Sequence, residues 1–256
     1  KGYAAPETGR AHARARELWE QLGSPSEFLQ VPFGQSVYHS VRGDLDLAQR
    51  LADDLLRLSC QRNDFSGLVL GHASSGRNLM YVGRFASSRA HLEEALALYD
   101  PVSNRSLGNQ FGSDAYVNSQ AYLGFVLFCL GYPDQALAQI DAAIAEARRL
   151  GHRPSLALTL TFGARLHSLG GENAALDERA AQLIAVATEQ GFPFWRAMGA
   201  IYRGWVKVKN GNVTEGYLSC AAVRPLTAPL ERNCICPISS PSWLGHVRSR
   251  GKLKRR

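Results

Sequence analysis

The chain has 256 residues, 45% of them apolar and 20% charged, with a net charge of +7, enough length and apolar content to bury a substantial core. No apolar run approaches the roughly 18 residues of a membrane span. The whole charge excess lies in residues 217–256, where eight Lys and Arg face Glu231 alone; residues 1–216 carry 21 basic and 21 acidic groups. A phosphate-binding face on the body is therefore excluded.

In chain order, the first marker is Gly43, with Ser36 seven residues before it and Ala48, Ala52, Leu55 and Leu56 at helical spacing after it. The stretch Phe65 to Val82 reads as a helix leading to Gly83, with Gly76 seven places earlier. Phe85, Ser88, Leu92, Ala95, Leu96 and Tyr99 form the apolar stripe of the next helix, which Asp100 and Pro101 end. Residues 102–110 are polar and read as a surface loop, an insertion that could carry specificity. Tyr122 to Leu130 then leads to the turn at Gly131, preceded by Gly124, and Ala136, Ile140, Ala143, Ile144 and Ala147 follow. Gly171 with Ala164, and Gly211 with Gly204, repeat the arrangement; Leu176, Ala180, Leu183 and Ile184 follow Gly171.

Gly43, Gly83, Gly131, Gly171 and Gly211 are thus separated by 40, 48, 40 and 40 residues. A fixed period of this size marks an all-α array of stacked helix pairs. Glycine at the turn can take positive φ without steric cost, and a small side chain two turns earlier lets the partner helix approach. The apolar residues twelve and thirteen places after each glycine are expected to fill the groove between units. Trp19, Trp195 and Trp205 suit either inter-helix core or surface anchors. Cys60 and Cys129 read as buried, reduced thiols of a cytoplasmic protein.

The paired residues Gly76/Gly83, Gly124/Gly131 and Gly204/Gly211, with Ala136 and Ala143, resemble tetratricopeptide (TPR) repeats of the long kind. Ala90 to Pro101, Leu130 to Leu137 and Glu189 to Trp195 further resemble the C-terminal TPR region of bacterial multidomain regulators, in which a class III adenylate/guanylate cyclase domain precedes an AAA-like ATPase module; related arrays occur in LuxR-type activators. The resemblance covers residues 1 to about 216 and implies a right-handed TPR-like superhelix of antiparallel helix pairs. It further implies a protein-interaction or regulatory-sensor scaffold, cut from a longer polypeptide. Its partners would be another protein, neighbouring domains of the parent chain, or a small effector, with no membrane and no specific nucleic acid. The chain begins at Lys1 with no basic-then-apolar leader, so no signal peptide is expected.

Beyond Glu215 the helical script breaks down: Pro225, Pro229, Pro237 and Pro241 interrupt every window. The segment reads either as a disordered basic tail or as repeat sequence read in a slipped frame from near Gly216. In a shifted frame the next glycine falls at 251, one period after Gly211, with a small residue seven places before it. Cys220, Cys234, Cys236 and His246 lack the spacing of a zinc site, and Arg248 to Arg256 could bind polyanions only through bulk charge.

Gly71 to Asn78 approaches the phosphate-loop pattern but has Arg77-Asn78 where Lys-Ser/Thr is needed, inside a helix. His39, His72 and His167 read as packing histidines with one polar partner, and Asp53-Asp54 and Glu93-Glu94 as solvated faces. No catalytic set, cofactor site or metal site is expected. Two further readings stand beside the scaffold: a nucleotidyl cyclase by descent from its parent although this portion lacks the active site, and a nucleic-acid binder acting through its basic tail.

Overall fold

The computed structural model describes residues 5–101 and 114–221. All regular structure among them is helical. The helices are α1 (Pro6–Gln21), α2 (Gln30–Arg42), α3 (Leu45–Arg62), α4 (Phe65–Tyr81), α5 (Phe85–Leu98), α6 (Ala115–Cys129), α7 (Pro133–Arg149), α8 (Arg153–Gly170), α9 (Asn173–Glu189), α10 (Pro193–Lys209) and α11 (213–221), with one 3-10 turn at Ser26–Phe28. No helix among the described residues is long and apolar enough to cross a membrane. The loop expected at 102–110 and the tail beyond 221, with Cys234, Cys236, His246 and the terminal basic cluster, lie outside the described residues.

The helices start where the local chemistry dictates. Asp64 accepts a hydrogen bond from the Gly67 amide (3.0 Å) and Asp114 from the Val117 amide (2.9 Å), each capping the helix it precedes. Pro6, Pro133 and Pro193 open α1, α7 and α10, where the missing N–H costs nothing.

The ends are more regular still. All five periodic glycines have positive φ, between 78° and 92°. Gly23, Asn63, Gly151 and Gly191 share that conformation, so left-handed residues fall at 23, 43, 63, 83, 131, 151, 171, 191 and 211. Apart from the 48 residues between 83 and 131, the structural step is 20 residues, half the period of the sequence pattern. At Gly83 the amide bonds the Met80 carbonyl and the Arg84 amide bonds the Leu79 carbonyl, which satisfies the carbonyls of the last helical turn. The same two bonds recur at Gly23, Gly43, Asn63, Gly131, Gly151, Gly191 and Gly211. Every second turn escaped the sequence pattern, and at residue 63 the reason is chemical: asparagine also tolerates the left-handed region.

The chain divides into two compact units, Lys1–Ser155 and Leu156–Arg256. Within the first, the residue seven places before each turn glycine sits against the residue five places after it. Ser36 donates to the Ala48 carbonyl (3.0 Å), and in the next pair Ser88 donates to the Gly76 carbonyl (2.6 Å). A Cβ on Gly76 would lie 2.5 Å from Leu92 Cγ, and one on Gly124 would lie 2.8 Å from Ile140 and 3.1 Å from the Ala136 carbonyl. Within the second unit, Ala164 and Leu176 are fully buried, and Gly204 meets the Gly216 carbonyl and the Cys220 sulfur, 2.9 and 2.7 Å from a notional Cβ. Cys220 thus takes the register position of Leu92 and Ile140, nine residues past the turn, so the repeat register persists to residue 220. Burial raises the Cys220 thiol to about 11.

A second close approach involves glycines that the sequence pattern did not mark. Twelve residues before the turn, Gly71 lies over Leu56 and Gly199 over Ile184, each 2.6 Å from a notional Cβ. Here each helix pair receives the next one, and the apolar residue thirteen places after a glycine fills that gap. The one twelve places after is core: Leu55, Ala95, Ala143 and Leu183 are all buried.

Cys60 and Cys129 correct the sequence expectation, because both are exposed. Each occupies the last turn of its helix (α3 and α6), just ahead of or at the bend, where the core-facing stripe has rotated away.

Candidate functional site

The first helix of each pair (α2, α4, α6) carries most of the buried polar side chains of the first unit: Ser36 and Ser40 on α2, Ser74, Ser75, Arg77 and Asn78 on α4, Ser119 and Gln120 on α6. Buried polar groups are normally paired. Here Ser74 Oγ, Asn78 Nδ2, Ser119 Oγ and Gln120 Oε1 have no hydrogen-bond partner among the described residues. The seam is therefore under-satisfied on α4 and α6, while Ser36 and Ser40 on α2 are bonded.

Arg77 is its centre. The side chain is 6% exposed; its Nε donates to Ser40 Oγ (3.3 Å), and its Nη2 donates to Ser36 Oγ (3.4 Å) and Asn78 Oδ1 (3.3 Å). Among the described residues no carboxylate pairs with it. Burial lowers its pKa from the usual guanidinium value, while the phenols of Tyr122 and Tyr81 act in the opposite sense. A buried cation held only by neutral oxygens is costly, and such costs concentrate at functional sites. The segment that imitated a phosphate loop is thus buried helix: Gly71 and Gly76 are packing positions, and Arg77 turns inward.

Register places related chemistry on the same face elsewhere. Arg77 lies six residues before Gly83, and Phe125, Arg165 and Trp205 lie six before Gly131, Gly171 and Gly211. Nine before the same three glycines stand Tyr122, Phe162 and Tyr202. Positions three apart share a helix face, so arginine or aromatic side chains recur at this register in α4, α6, α8 and α10, whereas α2 has Gly34 and Val37 there. In the second unit the Arg165 guanidinium lies 4.9 Å over the Phe162 ring, and Lys209 4.7 Å over Trp205. Trp19 is core, its Nε1 donating to the Pro25 carbonyl (3.0 Å), while Trp195 and Trp205 are half-buried.

The histidines pair as packing groups. His39 meets Asp44 at 3.3 Å and His167 meets Glu172 at 2.5 Å, the same residue spacing around Gly43 and Gly171. His72 and His91 bring their Nδ1 atoms within 3.1 Å across α4 and α5. Burial lowers the pKa of both; His91 lowers that of His72 further while Glu94 opposes, and Asp53 opposes for His91. Asp53, Asp54, Glu93 and Glu94 are exposed as expected. Among the described residues no group of three or more His, Cys, Asp or Glu could hold a metal.

One open groove of about 470 Å³ lies between α1 and α2, lined in part by Gly9, Arg10, Gln35, Tyr38, His39 and Arg42. Its cationic rim is partly engaged already, since Asp44 lies within 3.3 Å of His39 and 3.7 Å of Arg42.

No protein-family model matches the chain, and no curated protein matches it. Among solved structures it is similar to the crystal structure of BtubC (BKLC) from P. vanneervenii, with a TM-score of 0.59 and 16% identity, covering 86% of this chain and 87% of that one. At that identity the likeness establishes an all-helical, repeat-like fold and nothing about activity.

Proposed function

We propose that the chain is a right-handed TPR-like superhelix of antiparallel helix pairs that works as a cytoplasmic protein-interaction scaffold. In this reading it is a segment of a larger signalling regulator carrying nucleotidyl cyclase and ATPase modules, or of a transcriptional activator. It catalyses nothing itself. It couples a bound partner or small effector to neighbouring domains by favouring one of their conformational states.

The observation that carries the reading is the separation of backbone from content. The same turn recurs at 20-residue steps on either side of the 48-residue step from 83 to 131, while the residue six places before alternate turns changes from Arg77 to Phe125 to Arg165 to Trp205. A constant frame that accepts different side chains at one register position, with Arg77 and Phe125 buried and Trp205 half-buried, can be adapted to different partners without losing its turns. The resemblance of Ala90 to Pro101 and Glu189 to Trp195 to the regulator family supports the parent assignment.

The test starts from the DNA upstream of Lys1. It should encode a cyclase or ATPase domain, and the purified 256-residue chain should bind that domain and alter its ATP turnover. ATP hydrolysis by the chain alone, abolished by a point mutation within it, would overturn the reading.

A further inference from the structure

The Arg77–Asn78 cluster has a specific deficit. Asn78 Oδ1 accepts from Arg77 Nη2, which fixes the amide orientation and leaves Nδ2 as the atom without a partner. Arg77 Nη1 makes no hydrogen bond among the described residues. Ser74, one turn before Asn78 on the same face, has a buried hydroxyl with nothing to bond. Arg77 and Asn78 are both more than nine-tenths buried. The buried Asn78 Nδ2 donor therefore meets no acceptor, and the Arg77 charge beside it has no counter-charge, among the described residues.

We propose that the Arg77–Asn78 donor pair is a receptor for a single carboxylate, presented from between α2, α4 and α6. This rests on the scaffold reading and names the chemistry recognised there. A carboxylate carries one negative charge and two oxygens in a plane, the complement of a guanidinium edge beside an amide N–H. A phosphate dianion would bring more negative charge than the one cation of the cluster offsets. Tyr81, half-buried one turn beyond Arg77, and Tyr122 on α6 are close enough to act electrostatically on the Arg77 guanidinium. The carboxylate is either an acidic side chain of a partner peptide or a free dicarboxylate, and both present the same group.

The experiment uses the full chain and two probes, a hexaglutamate peptide with blocked ends and free succinate, with sodium chloride at matched ionic strength as control. The readouts are the Arg77 Nε–Hε resonance and the melting temperature, in wild type, Arg77→Lys and Arg77→Met. The expected result is a saturable change with one probe by about 10 mM. Affinity falls about tenfold or more in Arg77→Met and by less in Arg77→Lys. Without probe, Arg77→Met melts at or above wild type, because it removes a buried charge that the empty chain leaves unpaired. Response to hexaglutamate but not succinate assigns the carboxylate to a partner protein, and the reverse assigns it to a small effector.

The proposal is overturned by no saturable response to either probe, by equal response in Arg77→Met, or by a response that chloride alone reproduces. It is overturned equally if Arg77→Met melts well below wild type without probe, which would make the guanidinium a structural group. Binding of the chain to its parent's ATPase or cyclase portion that survives Arg77→Met, together with no probe response that depends on Arg77, leaves the scaffold standing and removes the carboxylate receptor.

Discussion

The two compact units use one backbone script and fill it differently. Five residues before Gly83 in the first unit stands Asn78, and five before Gly171 in the second stands Leu166; each is 1% exposed. Nine before the same glycines stand Ser74, with an unpartnered hydroxyl, and Phe162, buried. The Gly83 pair of the first unit therefore gives up apolar contact and hydrogen-bond satisfaction at positions where the Gly171 pair of the second packs apolar side chains. The frame tolerates this because its turns and close approaches are set by other residues. Turn geometry and the polar seam are assigned to different registers of the same helix.

The largest expected effect tests the tightly packed side. Leu166→Ala should cost about 2–5 kcal/mol in chemical denaturation, as for other fully buried leucines; a cost no greater than that of a surface change would remove the contrast. Gly124→Leu tests the shared frame. A side chain there meets Ile140 and the Ala136 carbonyl, and overpacking should cost about 1–3 kcal/mol. Asp141→Leu, on an exposed position of the partner helix α7, should stay within about 0.5 kcal/mol. Equal effects from the Gly124 and Asp141 substitutions would show that the register is misread.

Ser74→Ala sharpens the polar side of the comparison. Removing a buried hydroxyl that bonds nothing should leave stability unchanged or raise it by about 1 kcal/mol, visible as a higher melting temperature. A clear loss would mean that the hydroxyl is satisfied and the seam is ordinary core.

The smallest effect is acid sensitivity confined to the first unit. His12, His72, His91 and His152 all have pKa values lowered by burial, and all lie in residues 1–155. His39 adds to the lowering at His12, while Asp114 opposes it at His152. The unfolded chain binds protons more readily than the folded one at these groups. Their contribution is thus fully present above the unfolded value near 6.5 and is lost as pH falls through the lower folded values. At His152 the cause is also visible in a hydrogen bond, because its Nδ1 accepts from the Ser155 amide (3.3 Å) and cannot do so once protonated. Hydrogen exchange compared at about pH 8 and about pH 5, corrected for intrinsic rates, should show greater loss of protection in residues 5–155 than in 156–221. Equal loss would rule out the histidines as its source.

Much of the frame was legible in the sequence, because a positive φ and a helix crossing without room for a Cβ both leave compositional marks. The five glycines and Ser36, Gly76, Gly124, Ala164 and Gly204 stand where those constraints act. The alternate turns were not legible as a set, since asparagine at 63 satisfies the same backbone need. Gly71 and Gly199 also escaped, because the helix they face belongs to the preceding pair and periodicity alone does not assign it. Arg77 was the hardest to read. On paper it was the residue that spoiled a phosphate loop, and only its burial among Ser36, Ser40 and Asn78 shows it as an unpaired charge. Cys60 and Cys129 misled for the opposite reason, since cysteine in an apolar helix usually faces inward.

The contact between the two helices of each pair has a kinetic consequence. The Ser36–Ala48 and Ser88–Gly76 bonds each join residues twelve apart, so docking one helix on the next closes only a short loop, and the entropy lost in doing so is small. A polypeptide whose stabilising encounters are this local has no need of a rare long-distance meeting to begin folding. Any hairpin can serve as the seed, and order can then spread outward from it in both directions.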